Sequence, residues 1–403
     1  MLSLEAARQR IINSIEPLPP VSVPLDQAAD RFLAERLVSS VDLPGFDNSA
    51  MDGYAVRAAD VSNASAENPV ALRLIGRAAA GDVFAGELTR GICVRVFTGS
   101  MLPAGADAVI MQEDTRVDGA AAHTVLMLDA AKPWENVRFK GEDIKTGTPL
   151  LEPGSRLTPG RLQLLAATGH DSVKVGAIPQ VALISTGNEL VEPGQSLAPG
   201  KIYESNRAAL AALVRHAGGL PRTLPIVTDD PADTEAVLRS ALASHDVVIS
   251  SGGVSVGELD FVKDAFERLG GKLEFWKVAI KPGRPFVFGR LGRKLFFGLP
   301  GNPASAMVTF ALLVRPALLR LQGAADWSLP VLRAELAESL ANGGDRRHFM
   351  RVRRDTDGLI RSAGGQGSHQ LSSLAGAEGL VDVPPKTTLP AGSQVSMFLW
   401  SPV

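Results

Sequence analysis

Hydrophobic and polar residues follow two different patterns along this chain, and the change between them divides it. Between about residues 44 and 137, short runs with alternating apolar positions are separated by Gly, Pro and Asp: VALRLIG, GICVRVF, AVIMQE and HTVLML. From Pro179 onward, strand-like runs alternate with longer stretches whose apolar residues recur at helical spacing. The first pattern predicts a β-rich domain, and the second predicts an α/β sandwich.

The α/β region is predicted to contain a regular series of elements. Strands are predicted at 181–185, near Ile226 and at 247–250, and helices are predicted at 206–217, 232–243 and 260–269. A hairpin pattern, RPFVFGRLGRKLFFG, follows them. A helix with Asn302 as its cap and Pro303 at its first position then closes the region near Gly323.

The two ends of the chain complete the predicted organisation. Ser3 can cap an N-terminal helix whose apolar residues share one face: Leu4, Ala7, Ile11 and Ile15. After Ser328, alternating runs at 331–340, 349–354 and 395–400 predict a compact C-terminal β-barrel. We therefore expect a multidomain α/β and β protein with five parts: an N-terminal helix (1–20) docking on the central domain, a small discontinuous α+β linker domain (21–45 plus 138–175), a β-rich insertion domain (46–137), a three-layer α/β sandwich (176–325) and the barrel (326–403).

Length and charge narrow the class of function. The chain has 403 residues, which exceeds the size at which a single hydrophobic core usually stops growing, so several domains are expected. The formal net charge is −2, and the sequence contains no Lys/Arg cluster long enough to bind nucleic acid through its phosphates. The composition therefore favours small-molecule chemistry and no nucleic-acid partner.

Cysteine content and apolar segments indicate the compartment. The single cysteine, Cys93, excludes intrachain disulfides and a cysteine-based metal cage. The N-terminal segment carries charges where a signal peptide would need an apolar stretch. The longest apolar run, 304–314, is far shorter than the roughly 20 residues of a membrane-spanning helix and predicts a buried core helix. We expect a cytoplasmic protein with no membrane partner.

Two glycine-containing segments follow predicted strands, where α/β sheets bind their ligands. DVVISSGGVSVGELD places small residues and an acidic helix start directly after a buried strand: Ser251, Gly252, Gly253, Ser255, Gly257 and Asp260. FGLPGNPASA repeats this arrangement before another helix, with Pro300, Gly301, Asn302 and Pro303. Where side chains are absent, backbone N–H groups can approach phosphate oxygens, and a helix start adds favourable potential. An ordinary tight turn is the alternative for each, but the pair predicts an extended phosphorylated ligand.

Two lysines lie between these segments, in FWKVAIKPGRP. Period-two alternation predicts that Trp276, Val278 and Ile280 point inward. The same alternation places Phe275, Lys277, Ala279 and Lys281 on the opposite face. The two lysines would then be roughly 13 Å apart, which suits two anion subsites. Two solvated lysines on an edge strand explain the segment equally well.

Carboxylates in the same loops indicate a divalent cation. Glu189, Asp229 and Asp260 each follow a predicted strand or begin a predicted helix. Mg²⁺ binds one or two carboxylates, water and substrate phosphate, so these acids predict a magnesium site. Zinc has no plausible ligand set, and each acid by itself is more often a helix cap. The residues alone therefore predict a phosphate-binding, Mg²⁺-dependent enzyme.

Several segments, in order along nearly the whole chain, resemble the molybdopterin molybdotransferase family, which includes the C-terminal domain of gephyrin. They are DNSAMDGYA, FTGSMLPAGADAVIMQE, RFKGEDIKTG, VALISTGNEL, IYESNR, DVVISSGGVSVGELD, FWKVAIKPGRP, FGLPGNPASA and GGQGSH. The resemblance implies site roles for Asp52, Thr98, Glu189, Asp229, Asp260, Lys277, Lys281, Arg351 and Ser368. Two positions depart from the family pattern: Asn188 replaces an acid in STGNEL, and Gly365 replaces a histidine in GQGSH.

The resemblance also implies a fold and an activity. It implies four subdomains with a central molybdopterin-binding fold, and an elongated homodimer with a cleft assembled from both subunits. The implied reaction inserts molybdate into adenylylated molybdopterin and releases AMP, with Mg²⁺ as cofactor. An upstream adenylyltransferase and downstream proteins that deliver the cofactor to molybdoenzymes are the implied partners.

Two other functions compete with this one. A molybdopterin adenylyltransferase is the first, because the central α/β region alone would support that reaction. A noncatalytic gephyrin-like scaffold is the second. The acidic and basic positions of the family pattern are intact in this chain, which favours an active enzyme.

Overall fold

The computed structural model describes residues 1–117, 123–253 and 261–400. The chain divides into two compact units. The larger unit contains Met1–Glu35, Pro153–Thr158 and Val173–Val403, and the smaller unit contains Arg36–Glu152 and Pro159–Ser172. The finer division into five parts, with a linker domain from 21–45 and 138–175, stays a prediction.

The smaller unit is built on one six-stranded sheet, in agreement with its alternating apolar pattern. In spatial order the strands are Ala108–Met111, Gly53–Val56, Ile92–Val96, Val70–Ala78, Thr124–Met127 and Thr115–Val117. A Cβ atom on Gly53 would lie 2.0 Å from the carbonyl oxygen of Ile110, so only glycine fits at this point of the strand pairing. The shorter elements are Leu37–Val38, Asn48–Ser49, Ala58–Val61, Gln112–Asp114, Val137–Arg138, Pro149–Leu151 and Pro159–Ala167.

The larger unit contains a central six-stranded sheet. Its strands, numbered in chain order, are β1 (Gln180–Ser185), β2 (Leu220–Thr223), β3 (Val247–Ser251), β4 (Lys272–Lys277), β5 (Pro285–Leu291) and β6 (Lys294–Leu299). The spatial order is β2-β1-β3-β6-β5-β4, in which the first four strands are parallel and β5 is antiparallel to both of its neighbours.

The prediction of a strand near Ile226 is wrong. The sheet edge beside β1 is formed by β2, at 220–223, and the chain that follows makes only an isolated bridge between Val227 and Thr186. Pro225 has no backbone N–H, so a continuous ladder cannot form at this point.

Helices cover both faces of this sheet and enclose two hydrophobic cores. One core contains residues of α1 (Leu4–Asn13), α2 (Asn206–His216) and α5 (Pro303–Thr309). The other contains residues of α3 (Pro231–Ser244) and α4 (Phe261–Arg268). Alternate β1 residues enter the two cores, because successive side chains of a strand point to opposite faces. The predicted α/β sandwich is thus observed as three layers.

The N-terminal helix and the long apolar helix form as predicted. Ser3 Oγ accepts a hydrogen bond from Ala6 N at 3.1 Å, which caps α1. Helix α5 continues through the π-helical turn Phe310–Val314 into the helix Arg315–Leu321. This continuous helix is long and apolar enough to cross a membrane, but 83% of its apolar window is buried within the protein. It is therefore a core helix.

A second mixed sheet lies in the C-terminal part of the larger unit. Its strands, in spatial order, are Ile280–Lys281, Arg347–Arg354, Gly379–Val383, Gln394–Leu399 and Val331–Glu335, and Ile360–Ser362 pairs with Arg347–Arg354. The predicted strand 331–340 is interrupted, since its end belongs to the separate strand Leu340–Asn342. The other elements of this unit are Val21–Pro24, Leu25–Gln27, Ser172–Val175, Leu190–Val191, Ile202–Tyr203, Leu371–Ala375 and Thr387–Leu389.

The prediction that the two lysines share one face of a strand is wrong. Strand β4 ends at Lys277, and Lys281 belongs to a different strand that pairs in the C-terminal sheet. The pairing of β4 with β5 shifts register twice, so the simple alternation fails: Phe275 is 8% exposed and Trp276 is 47% exposed. Only Val278 and Ile280 are buried as predicted. The spacing of roughly 13 Å between the lysines, which assumed one continuous strand, therefore does not apply.

Burial of Cys93 generates the first testable prediction. This residue is fully buried in the core of the smaller unit, and burial raises the pKa of its thiol to about 12. The reactive thiolate is therefore scarce at pH 8. We expect Ellman's reagent to label the native protein very slowly and to label one thiol per chain in denaturant, as absorbance would show. Rapid stoichiometric labelling of native protein would contradict the burial.

Candidate functional site

Three strand ends of the central sheet meet at one edge, which we call the carboxyl edge. The register pairs Ser185 of β1 with Ser251 of β3, and Ser251 with Leu299 of β6. The loops that follow these strands start side by side, as shown by the hydrogen bond from Gly252 N to Leu299 O at 3.1 Å. The structure thus brings together the described parts of both glycine-containing segments.

The first of these segments makes a tight glycine turn (Ser251, Gly252, Gly253). Gly252 and Gly253 have φ angles of 92° and 66°, in the left-handed region that favours glycine. A Cβ atom on Gly252 would lie 2.8 Å from the carbonyl oxygen of Thr186, and one on Gly253 would lie 2.4 Å from Val262 Cγ2. The turn therefore requires glycine at both positions, and no side chain at these two residues covers their backbone. Ser255, Gly257 and Asp260 lie outside the described residues.

Asn206 joins the glycine turn to the second segment. Its Nδ2 donates hydrogen bonds to Ser251 Oγ and to the carbonyl oxygen of Gly301, both at 2.7 Å. Asn206 is the first residue of α2 and was not predicted to have a site role. The only signal in the sequence was its position in IYESNR, one of the segments that carry the family resemblance.

A buried ion pair holds the start of α2 in place. Glu204 and Arg207 are 5% and 4% exposed, and Arg207 Nε donates to Glu204 Oε2 at 3.0 Å. Ser185 Oγ, at the end of β1, donates to the other carboxylate oxygen of Glu204 at 3.0 Å. Arg207 also contacts both carboxylate oxygens of Glu192 at 2.7 Å. These contacts fix Asn206 relative to the end of β1.

The second segment, which we call the PGNP turn (Pro300, Gly301, Asn302, Pro303), leads into α5. Pro303 is at the first helical position, as predicted, but the Asn302 side chain makes no capping hydrogen bond. Ala304 N instead donates to the carbonyl oxygen of Ser368 at 3.1 Å. One of the N–H groups at the start of α5 is thus already bonded, and Ser368 is placed at the carboxyl edge.

Arg351 is fully buried beneath the loop that contains Ser368. Its Nη2 donates to the carbonyl oxygens of Gly365 and Gly367 at 2.7 and 3.0 Å. Its Nε and Nη1 are buried and have no hydrogen-bond partner in the part of the chain that the structure describes. Gly365, which departs from the family pattern, acts here through its backbone, so the missing histidine leaves this contact intact.

Lys281 and His348 lie opposite each other on paired parallel strands. His348 is 3% exposed, and its Nε2 has no partner among the described residues. Burial, together with the positive charges of Lys281, Arg351 and Arg346, lowers the pKa of His348 to about 4. His348 is therefore neutral at pH 7, and three cationic side chains act on the same imidazole.

Lys277 also reaches the carboxyl edge. Strand β4 is antiparallel to β5, which is antiparallel to β6, so β4 and β6 run in the same direction. Lys277 is the last residue of β4, and its Nζ lies 3.8 Å from the centroid of the Trp276 indole. Lys277 thus ends a strand at the carboxyl edge, whereas Lys281, four residues later, lies on a strand of the C-terminal sheet.

Two of the predicted metal ligands lie in neighbouring loops, Glu189 in the loop after β1 and Asp229 in the loop after β2. Asn188 N donates to Asp229 Oδ2 at 2.9 Å, and Asp229 N donates to Asn188 Oδ1 at 3.1 Å. Lys201 Nζ donates to the carbonyl oxygen of Asn188, and Glu189 is exposed beside it. No group of three or more acidic, histidine or cysteine side chains that could hold a metal occurs within 1–117, 123–253 and 261–400. Two carboxylates with a substrate phosphate nevertheless match the donors that Mg²⁺ uses.

Asp52 and Thr98 form a pair in the smaller unit. Asp52 Oδ1 accepts hydrogen bonds from Thr98 N and from Thr98 Oγ1, both at 2.8 Å. These bonds from the backbone and hydroxyl of Thr98 lower the pKa of the Asp52 carboxyl, and the charge of Arg95 adds to this effect. In this pair, which the sequence predicted to be part of the site, Thr98 holds the carboxylate of Asp52 in a fixed orientation.

Three family profiles match successive parts of the chain. Residues 2–169 match the MoeA N-terminal region (domain I and II), and residues 182–320 match a probable molybdopterin binding domain. Residues 333–400 match the MoeA C-terminal region (domain IV).

Relatives match over nearly their whole length. A molybdopterin molybdenumtransferase from Haemophilus influenzae is 40% identical over 93% of this chain and 92% of its own. Molybdopterin molybdenumtransferase 2 from Mycobacterium tuberculosis is 39% identical over 99% of both chains. The crystal structure of a molybdopterin biosynthesis MoeA protein from Pyrococcus horikoshii has a TM-score of 0.85 and 32% identity, and covers 99% of this chain and 100% of that one.

The buried His348 makes stability depend on pH. Its folded-state pKa of about 4 lies below the usual 6.5, so the unfolded chain binds a proton first as the pH falls. Stability is therefore full above pH 6.5 and falls by about 2–3 kcal/mol at pH 4.5 through this group. We expect His348→Gln to remove that part of the loss, measured as the free energy of unfolding in urea. The exposed variant His123→Asn is the control, and equal pH profiles for His348→Gln and wild type would contradict the assignment.

Proposed function

Because this chain belongs to the family of molybdopterin molybdenumtransferases, we propose that it inserts molybdate into adenylylated molybdopterin and releases AMP. It is a transferase of molybdenum cofactor biosynthesis. The observation that supports the detailed reaction most strongly is Arg351, a fully buried cation of which two nitrogens have no hydrogen-bond partner among the described residues. A buried charge without a counterion is costly, which favours a site made to receive an anion.

We place molybdate at the cationic cluster of Lys281 and Arg351, beside the loop that contains Ser368. Molybdate is a compact dianion, and it must approach a substrate that already carries a negatively charged pyrophosphate. Lys281 lies opposite His348 in the strand pairing, and the charges of Lys281 and Arg351 both lower the pKa of this histidine, which supports a shared anion site. Ser368 lies next to the start of α5, where its carbonyl oxygen accepts the hydrogen bond from Ala304 N. These residues offset the repulsion between the two anions.

The nucleotide part of the substrate fits the carboxyl edge of the central sheet. The backbone of the glycine turn and the PGNP turn binds phosphate oxygens in this proposal, and Lys277 adds a positive charge at the same edge. Asn206 supports both turns, since its side-chain amide holds Ser251 and Gly301 at 2.7 Å. Asn206 is thus a positioning residue.

Mg²⁺ would be held by Asp229 and Glu189, with Asp260 as a further ligand outside the described residues. When bound there, it supplies positive charge that offsets the charge of the pyrophosphate. Asn188 orients Asp229 through their reciprocal hydrogen bonds, and it does so without the acid of the family pattern. In the smaller unit, Asp52, held ionised by Thr98, would orient water or metal.

Several wider features belong to this proposal. The protein would act in the cytoplasm as an elongated homodimer with four subdomains, of which the last would be a β-barrel. It would receive its substrate from an adenylyltransferase and pass its product to proteins that deliver it to molybdoenzymes. If the chain instead adenylylated molybdopterin, it would consume ATP with metal-free molybdopterin and would not require molybdate.

The first test of this proposal concerns the cationic cluster. We expect Lys281→Gln to raise the molybdate concentration for half-maximal AMP release by at least about tenfold, because one cation is lost from the anion site. AMP release from adenylylated molybdopterin with Mg²⁺ and molybdate is the measurement. Lys272→Gln, at the exposed start of β4, is the matched control. If both variants have the same molybdate dependence, Lys281 does not hold molybdate.

The second test concerns the metal ligands. We expect Asp229→Asn to raise the Mg²⁺ concentration needed for half-maximal AMP release, because a neutral amide binds Mg²⁺ more weakly than a carboxylate does. Asp230→Asn is the control, since Asp230 only caps α3 and asparagine caps a helix equally well. The assignment fails if the two variants show the same Mg²⁺ dependence.

A further inference from the structure

Trp276 is an exposed aromatic residue between two lysines. Its side chain is 47% exposed, whereas its neighbour Phe275 is buried in the core. Lys277 Nζ lies 3.8 Å from the centroid of the indole ring, and Lys263 Nζ lies 5.1 Å from it. An indole usually buries its large apolar surface, so an exposed ring held next to two ammonium groups suggests a binding surface.

This ring lies at the carboxyl edge. Trp276 and Lys277 are the last two residues of β4, which ends at the same edge as β6. Two strand spacings of about 4.8 Å separate β4 from β6, so the indole is on the order of 10 Å from the strand that leads into the PGNP turn. A ligand with a ring and a phosphate can span that distance.

Helix α4 connects the indole with the glycine turn. Val262 lies so close to Gly253 that a Cβ atom there would be 2.4 Å from Val262 Cγ2. Lys263 is the next residue, and its ammonium group faces the indole. The first turn of α4 therefore contacts the glycine turn with one residue and Trp276 with the following one.

We infer that the indole of Trp276 is the stacking surface for a flat nitrogen heteroaromatic ring of the phosphorylated substrate. The ring displaces the ammonium groups of Lys277 and Lys263 from the indole, and these groups then pair with phosphate oxygens of the same ligand. Stacking needs only a π face, and cations near that face favour an anionic ligand. Adenine and pterin share this chemistry. The inference rests on the proposed function, since that reaction provides a ligand with both rings.

Calorimetric titration with AMP and with ribose 5-phosphate tests the stacking. The second ligand lacks the base, so wild-type protein should bind AMP about five- to 150-fold more tightly, the range typical of base–aromatic stacking. We expect Trp276→Leu to lose this difference and to bind ribose 5-phosphate as wild type does. Trp276→Tyr should retain most of it, because tyrosine keeps a π face. Trp134→Leu, at a tryptophan that is also 47% exposed, is the control and should bind AMP normally.

A parallel titration with 6-hydroxymethylpterin distinguishes the two rings. If only the affinity for the pterin depends on Trp276, the pterin is the stacked ring, and the inference stands with that assignment. If neither AMP nor the pterin binds more weakly to Trp276→Leu than to Trp134→Leu, the inference is overturned. Molybdate-dependent AMP release by the wild-type protein is a separate measurement, so a failure of the proposed reaction cannot be mistaken for a failure of stacking.

Discussion

The site depends on the parallel, in-register pairing of β1, β3 and β6. Because Ser185, Ser251 and Leu299 are aligned, the three loops after these strands begin at one level of the sheet. The amide of Asn206 then bonds to two of the loops, and the buried pair of Glu204 and Arg207 fixes the helix that carries this amide. A buried ion pair contributes little net stability, since desolvation offsets its attraction. Its effect here is on position, because it fixes the helix that holds Ser251 and Gly301 through Asn206.

The net charge of the whole chain is slightly negative, but the region around His348 is rich in positive charge. The chain carries a formal net charge of −2, yet Lys281, Arg346 and Arg351 surround the buried, neutral His348. Protonation of His348 would add a fourth positive charge, and burial prevents this at neutral pH. The neutral imidazole therefore adds no further positive charge to a region that already contains three cationic side chains. Such a region is destabilising in the free protein and favourable once a dianion binds, which is the behaviour expected of a molybdate site.

The sequence predicted the parts of the fold that depend on local patterns. The cap at Ser3, the glycine turn after β3 and the proline at the start of α5 each need specific residue types, and all three are found where predicted. The failures arise from long-range pairing. Two register shifts turned Trp276 outward, and the chain then moved to another sheet before Lys281. Neither event has a local signal. Asn206 was missed because its partners, Ser251 and Gly301, are 45 and 95 residues away.

The hydrogen bond from Ala304 to Ser368 shows how the C-terminal part takes part in the site. A free helix start would bind an anion through its backbone alone, but here the carbonyl oxygen of Ser368 already accepts the Ala304 N–H. The loop that supplies this oxygen also supplies two carbonyl oxygens to Arg351. Movement of the loop would therefore alter both the donors at α5 and the contacts of the buried arginine. Because one loop controls both, phosphate binding at the PGNP turn and oxyanion binding at Arg351 are expected to be energetically coupled.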